Sequence, residues 1–285
     1  MDVSIVVLAW EDIDRTAQCV RSLPTAAEII VVDNGSSAPI RDAVEALCGE
    51  VGAQYVQSGE NLGYARGMNL GARHATRTNI ILANNDVIVH SDSVDRLLAA
   101  LDAPDVGAAF PQVVNPDGSD ETAGGRFLTP GLGIAHAVGL NLLVPRLRIT
   151  AEPAVADWLT GPFVVMRRRD FEAIGGVDET SYFYSEDLRL CWAVQRKLGM
   201  RIAYITDATI NHLGDASSQR RWSSAEIAQR QTREFVRAAR QLGGGGSGRI
   251  AATAYTLGAL WRGLLGRDAV RRGIGRGALE GLRSR

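Results

Sequence analysis

In the first half of the chain, polar clusters follow apolar runs at Ala9-Trp10-Glu11-Asp12, Asp33-Asn34-Gly35-Ser36, Asn61 to Asn69 and Asn84-Asn85-Asp86. In an open parallel sheet, ligands bind at the carboxyl ends of the strands, so carboxylates such as Asp33 and Asp86 would face a crevice rather than a core. The competing reading is a strand-to-turn junction, where Asn and Asp are ordinary residues. Lined up along one sheet edge, the clusters could hold a nucleotide. A dinucleotide is disfavoured, because the glycines fall at 63, 67 and 71 instead of in a G-x-G-x-x-G pattern. No Gly-Lys-Ser/Thr phosphate loop is present, and the single lysine, Lys197, lies far along the chain.

The elements that must position these clusters are legible from periodicity. Val3 to Leu8 and Glu28 to Asp33 are short, nearly continuous apolar runs that read as buried parallel strands, with Ile13, Ala17 and Val20 at helical spacing between them. Pro39 suits a first helical turn, followed by Ile40, Val44 and Leu47 on one face; a strand fits Ala53 to Gln57, and Asn61 to Asn69 opens the next helix. Ile80 to Ala83 is the fourth strand, and Ser91 could cap a helix through Val94, Leu97, Leu98 and Leu101. Four alternations of strand and helix in about a hundred residues predict an α/β class with a doubly wound sheet.

Residues 107 to 148 read as a loop-rich connection with a strand at Ala108 to Val114. Trp158 to Met166 reads as a strand interrupted by a turn, followed by a short helix at Asp170 to Ile174, a helix after Glu186-Asp187, and a strand at Arg201 to Ile205 with Ile210-Asn211-His212 beyond it. Ser223 and Glu226 form a capping box for a helix reaching about Leu242, and Gly243 to Gly248 reads as a flexible linker. These signals predict a domain over 1–215, with a nucleotide-binding half (1–105) and an acceptor-binding half (106–215), and a helical extension over 216–285.

The 285 residues, 46% hydrophobic and 22% charged, make an ordinary globular composition. No basic-then-apolar leader and no long apolar run occurs, so a cytosolic location is expected. Cys19, Cys48 and Cys191 form no CxxC pair and are expected to be buried thiols. Residues 1–125 hold 7 basic and 18 acidic groups, and residues 126–285 hold 24 basic and 14 acidic. The basic, amphipathic stretch Arg249 to Arg285 suits an anionic membrane surface, with a packed helical hairpin or a homodimer contact as the alternative. No nucleic-acid partner is expected.

Taken in order, Val31 to Ser36, Asn61 to Asn69, Asn84-Asn85-Asp86, Gly175 to Glu179, Ser185 to Leu188 and His212 resemble the successive motifs of the family 2, GT-A type, inverting glycosyltransferases. The resemblance covers roughly residues 1–215 and implies a GT-A mixed sheet flanked by helices. It implies a nucleotide-diphosphate sugar donor and a divalent cation, Mg²⁺ or Mn²⁺, held by Asp86 and completed by His212, with Asn84 and Asn85 beside it. A lone histidine can equally be structural. Asp33 would read the base or ribose with Ala9 and Trp10 flanking it, and Asn61, Gly63, Arg66 and Asn69 would line the sugar-nucleotide side. Asp187 would be the general base, Glu186 its neighbour, and Trp158 and Gly161 would border the acceptor. An acid pair at this place also suits a plain helix N-terminus. Many relatives have two acids where this chain has Asn84 and Asp86. Relatives often carry an acid and an Arg where it has Arg189 and Ala193, which leaves the acceptor or sugar preference open.

The overall layout is most similar to rhamnosyltransferases of cell-wall and polysaccharide assembly, acting on a lipid-linked or glycan acceptor at the inner membrane face. The rival expectations are a nucleotidyltransferase, whose basic Gly-rich loop is absent from Ala9 to Asp14, and a catalytically silent sugar-nucleotide or glycan-binding module, which Asn84 favours.

Overall fold

The computed structural model describes residues 1–90, 92–214, 222–266 and 268–284. Along the chain run β1 (Val3–Ala9), α1 (Ile13–Ser22), β2 (Glu28–Asp33), α2 (Ala38–Val51), β3 (Gln54–Gln57), α3 (Tyr64–Ala72), β4 (Asn79–Asn84), β5 (Val87–Val89), α4 (Ser93–Ala100) and β6 (Val106–Val114). They are followed by β7 (Gly124–Gly125), α5 (Pro130–Ala137), α6 (Leu140–Leu143), β8 (Thr150–Ala151), β9 (Trp158–Leu159), β10 (Phe163–Arg167), α7 (Arg168–Ile174), α8 (Glu186–Lys197), β11 (Arg201–His212), α9 (Ser224–Leu242), α10 (Gly245–Leu265) and α11 (Ala269–Arg283).

The chain divides into two compact units, the first made of Met1–Thr122, Leu159–Glu186 and Leu190–Gly214. Its eight-stranded sheet has the order β3-β2-β1-β4-β10-β6-β11-β5. β1, β2, β3 and β4 are mutually parallel, whereas β10 runs antiparallel between β4 and β6, so the sheet is mixed. The apolar strands are buried on both faces, as their near-continuous hydrophobic runs require. Fully buried Ile5, Ile30, Phe110 and Phe163 each contribute about 1.5–3 kcal/mol relative to exposure. Helix α1 is capped by Asp12, which accepts from the Arg15 N–H at 3.2 Å.

Strand β11 is longer than its sequence pattern suggests. Arg201 to Ile205 and Ile210-Asn211-His212 belong to one strand that crosses an irregularity between Ile205 and Thr209, so His212 stays in register with the sheet. Ser91 lies outside the described residues; the helix begins at Ser93 after Asp92.

The second unit comprises Ala123–Trp158, Asp187–Arg189 and Asp215–Arg285. The boundary therefore differs from the expected one: part of the loop-rich connection joins the C-terminal helices instead of an acceptor half at 106–215. Tight packing explains this, because a Cβ on Gly133 of α5 would sit 2.6 Å from the Ala251 carbonyl oxygen of α10. The glycine run is not a flexible linker either. Gly243 and Gly244 make a corner, and Gly245 to Gly248 are already the first turn of α10. On α11, Gly273, Gly277 and Gly281 lie directly against the backbone of Ala225, Gln229 and Arg233 on α9, which draws these two helices close. The capping box at Ser223 and Glu226 is formed. Among the described residues, no helix is long and apolar enough to cross a membrane.

Candidate active site

Within the first unit, the strand registers set Ala9 beside Asp33, Leu8 beside Asn84 and Asp33 beside Gln57. Ala9, Asp33 and Asn84 thus share one edge of the sheet, as the parallel-strand reading requires. The loops leaving that edge are laced together. Glu11, in left-handed conformation (φ 52°), accepts from the Ser37 N–H at 2.7 Å and from the Ser37 hydroxyl at 2.9 Å, and its own N–H donates to Ser36 Oγ at 3.1 Å.

Asp33 is fully buried and accepts from the Ser36 N–H at 3.1 Å. Tyr55 donates to its other oxygen at 3.4 Å, and burial together with the Asp33 charge pushes the phenol up to about 12, so it remains a donor. Asn34 accepts from the Leu62 N–H at 3.0 Å and so ties this loop to the next one.

Gly35 sits where these loops meet, at φ +79°, and a Cβ there would overlap the Glu60 carbonyl carbon and lie 2.5 Å from the Asn61 nitrogen. Gly35→Ala combines left-handed strain with a backbone clash and is expected to cost about 2–4 kcal/mol. Thermal unfolding of the variant checks this; an unchanged midpoint would contradict the loop geometry.

The β3–α3 segment is braced from the other side. Asn61 accepts from the Gly63 N–H at 3.0 Å and from the Tyr182 hydroxyl at 2.9 Å, and Gly63 (φ +79°) has the Tyr182 carbonyl where a Cβ would go. Asn69 accepts from the Val177 N–H at 2.9 Å and donates to the Val177 carbonyl and to Glu179 Oε1, each at 2.8 Å. Its amide thus holds the Gly-Gly-Val-Asp-Glu segment in place. Arg66 is largely exposed, with Glu179 at 3.9 Å.

The Asn84-Asn85-Asp86 stretch closes β4 and turns the chain into β5. The Asn84 N–H donates to the Pro162 carbonyl at 2.8 Å, which sets Gly161-Pro162 against the start of this turn. Asn85 points back towards α1, donating to Thr16 Oγ1 at 2.9 Å. β5 pairs antiparallel with the end of β11, with Val87 opposite His212. The buried Asp86 carboxylate consequently meets the buried imidazole: His212 Nε2 stands 3.3 Å from Asp86 Oδ1. That is ion-pair distance without the alignment of a hydrogen bond, and neither atom has a hydrogen-bond partner among the described residues.

On its far side His212 Nδ1 is 2.8 Å from Glu121 Oε1. Burial alone would lower the His212 pKa, but Asp86 and then Glu121 outweigh it and raise the value to about 9. Arg15 completes the surroundings. Its Nη1 lies 3.8 Å from Asp86 Oδ2 and donates to the Gly214 carbonyl at 2.6 Å, which pins the segment that follows β11. Cys19 is buried behind the turn, its thiol pushed up to about 12 by burial and by the Asp86 charge. Cys48 and Cys191 are buried as well.

Glu186 and Asp187 occupy the first turn of α8. The approach to that turn is strained: Tyr184 (φ 79°) and Ser185 (φ 70°) are consecutive non-glycine residues in the left-handed region. Such positions cost about 1–3 kcal/mol each and persist where the surroundings hold them. In the second unit, Trp158 donates to the Arg126 carbonyl at 3.4 Å, and its ring fills the space that a Cβ on Gly125 would need. Arg189, buried in the same unit, donates to Gln241 on α9 at 2.6 Å, so the basic residue at this departure anchors the helical unit.

Arg15 and Glu121 escaped the sequence reading, and Glu11 entered it only as a member of the first polar cluster. Arg15 looks like an ordinary first-turn helix charge, and Glu121 like part of a turn. Only the bridge between Val114 and Asp120 folds the latter back, and the Glu121 N–H donates to the Val113 carbonyl at 2.8 Å.

The sequence profile of Glycosyl transferase family 2 matches residues 4–175, more than half of the chain. The chain belongs to this family. The family 2 glycosyltransferase is 24% identical over 200 residues to the low-salt glycan biosynthesis hexosyltransferase Agl10 of Haloferax volcanii; the match covers 69% of the chain and 62% of that relative's length. It is 28% identical over 233 residues to the N-acetylglucosaminyl-diphospho-decaprenol L-rhamnosyltransferase of Mycobacterium tuberculosis, covering 73% of the chain and 75% of the relative.

Among solved structures, the glycosyltransferase resembles the mannosyltransferase PcManGT of Pyrobaculum calidifontis in complex with GDP-Man and Mn²⁺ (TM-score 0.63, 15% identity, 99% of this chain and 87% of that one). It also resembles GalNAc-T7 with UDP, GalNAc and Mn²⁺ (TM-score 0.61, 16% identity, 84% of this chain and 47% of that one). At these identities the likeness is one of fold, and the fold is GT-A: a curled mixed sheet flanked by helices, here followed by C-terminal helices.

Proposed function

We propose that this family 2 glycosyltransferase is an inverting, metal-dependent enzyme. It would move a sugar, rhamnose being the candidate, from a UDP- or dTDP-sugar to a lipid-linked or glycan acceptor presented at the inner face of a membrane. The observation that carries this reading is the pair Asp86 Oδ1 and His212 Nε2, buried 3.3 Å apart at the carboxyl edge of the parallel strands and, among the described residues, without hydrogen-bond partners. A carboxylate oxygen and an imidazole nitrogen so placed fit Mg²⁺ or Mn²⁺, with Mn²⁺ the better match for nitrogen.

No group of three or more His, Cys, Asp or Glu is placed to hold a metal among the described residues. Two protein ligands plus the neutral oxygen of Asn84 make a weak site, to which the donor diphosphate would have to contribute oxygens. A bound cation would neutralise the leaving diphosphate. The other residues bind and orient. Asp33, Ala9 and Trp10 would take the base, while Asn61, Gly63 and Arg66 would border the sugar diphosphate on loops braced by Asn69 and Asn85. Trp158, Gly161 and Glu186 would border the acceptor, and Asp187 would take its hydroxyl proton. The rhamnosyl and lipid-linked parts of the reading are supported by the mycobacterial relative's name and by the resemblance of the overall layout to rhamnosyltransferases.

Glu121 gains a role in this reading as the partner that holds the Nδ1 side of His212 and so aims Nε2 at the cation. Glu121→Ala is expected to weaken Mn²⁺ binding about 10- to 100-fold, measured by electron paramagnetic resonance titration with UDP or dTDP present. Glu121→Gln, which keeps the hydrogen bond, should retain most of the affinity. Equal affinity in all three proteins would remove Glu121 from the account.

Asn84 in place of an acid is the one feature that favours a silent binding module. Nucleotide release from a panel of UDP- and dTDP-sugars, with Mn²⁺ and with chelator, separates the two readings. Turnover of at least one donor, lost on chelation, is expected; nucleotide binding without turnover of any donor would sink the enzyme reading.

A further inference from the structure

The second unit carries an apolar surface that its own core does not use. α5 ends at Ala137, and the chain turns through Val138 and Gly139 into α6. The last turns of α10 lie alongside this corner: Trp261 Nε1 donates to the Ala137 carbonyl at 2.7 Å, and Arg262 donates to Asn141 Oδ1 at 3.0 Å. A Cβ on Gly258 would sit 2.9 Å from the Ala137 Cα, so the two segments touch backbone to backbone. What they turn outward is apolar. Val138 is 70% exposed, Leu142 61%, Leu143 80%, Leu264 87% and Leu265 76%, with the Trp261 ring among them. Large aliphatic side chains standing together in water mark a surface that something covers.

Charge identifies what fits. Residues 123–151 contain Arg126, Arg146 and Arg148 and no Asp or Glu, and the last turn of α10 carries Arg262. Arg146 and Arg148 are exposed directly after α6. A two-fold contact between copies would set this arginine-bearing surface against itself, repelling across the interface. An anionic lipid leaflet satisfies both features: its acyl boundary takes the leucines and valine, its carbonyl level takes the indole, and its phosphates take the guanidinium groups.

We propose that the α5–α6 corner and the C-terminal end of α10 form a docking surface for an anionic membrane. Membrane contact was expected from the arginines of 249–285 as a whole. The exposed apolar groups place it on this ledge instead, half of which lies in the loop-rich connection. The proposal rests on the lipid-linked acceptor of the preceding reading for its purpose but not for its test, because membrane binding needs no turnover.

The full chain is sedimented with vesicles of phosphatidylglycerol and phosphatidylcholine, and with phosphatidylcholine vesicles alone. The wild type is expected to pellet with the mixed vesicles and to remain largely in solution with the neutral ones. Leu142→Ser/Leu143→Ser and, separately, Leu264→Ser/Leu265→Ser should each lower the partition coefficient about tenfold or more. Both pairs are exposed, so the melting curves should be unchanged, and nucleotide release from the donor should remain. Unchanged partitioning in both variants would overturn the proposal, as would wild-type binding that is equal on neutral vesicles. A wild-type dimer that the same substitutions convert to monomer would overturn it in favour of self-association. Loss of turnover with vesicle binding intact would instead overturn the transfer reading.

Discussion

Asp187→Asn is expected to lower kcat by about 10²- to 10⁴-fold, the usual contribution of a positioned general base, while the affinity for UDP or dTDP stays within about twofold. Asparagine keeps the size of the side chain and its place in the first turn of α8, but it cannot take a proton from the acceptor hydroxyl. The helix start itself should tolerate the change, because Tyr184 and Ser185 set the entry angle through their backbone. Glu186→Gln is the informative neighbour: its carboxylate is buried in the same turn, and an orienting role predicts a smaller loss than at Asp187. Steady-state kinetics with nucleotide binding measured in parallel distinguishes the two. Equal losses at both positions would indicate damage to the turn rather than removal of a base.

The second large effect is expected at Asp86. Asp86→Ala should abolish cation-dependent binding of the donor nucleotide and lower kcat/KM by about 10³-fold or more, and chelation of the wild type should reproduce most of that loss. The substitution removes the carboxylate that faces His212 Nε2 and takes from Arg15 one of its acidic neighbours, Asp86 at 3.8 Å, while Asp12 stays at 3.7 Å. His212→Ala should be milder, because the diphosphate and Asp86 can still hold a cation. Calorimetric titration of Mn²⁺ with and without UDP or dTDP reads this directly: because the protein offers few ligands, cation affinity should rise clearly when nucleotide is present. Tight cation binding without nucleotide, unchanged by Asp86→Ala, would place the metal elsewhere.

Much of this site was legible because buried parallel strands announce themselves. β1, β2 and β4 are nearly unbroken apolar runs, and the point where each gives way to polar residues marks the sheet edge, so Ala9, Asp33 and Asn84 line up from the sequence alone. Contacts between segments far apart in sequence were not legible. The His212–Glu121 bond spans 91 positions, and it depends on a β-bridge after β6 and on β11 continuing through an irregularity that splits its hydrophobic pattern. Asn69 and Asn85 were read as ligand-facing because their type and place suit that role, yet their amides brace neighbouring loops.

The glycine-rich tail misled for a related reason. Glycine alone signals freedom, but Gly273, Gly277 and Gly281 at four-residue spacing place one helix face against another backbone, and the run at 243–248 forms a corner and a helix start. Packing, absent from composition, decides between the two meanings.

The central claim is metal-dependent glycosyl transfer with inversion, and the anomeric configuration of the product tests it most directly. The full chain is incubated with Mn²⁺, a UDP- or dTDP-sugar that it turns over, and a lipid-linked or glycan acceptor, and the anomeric proton of the new linkage is read by NMR. The account predicts a linkage of opposite configuration to the donor, with no product from Asp187→Asn or after chelation. A linkage that retains the donor configuration, or product formed undiminished without a divalent cation, would contradict it.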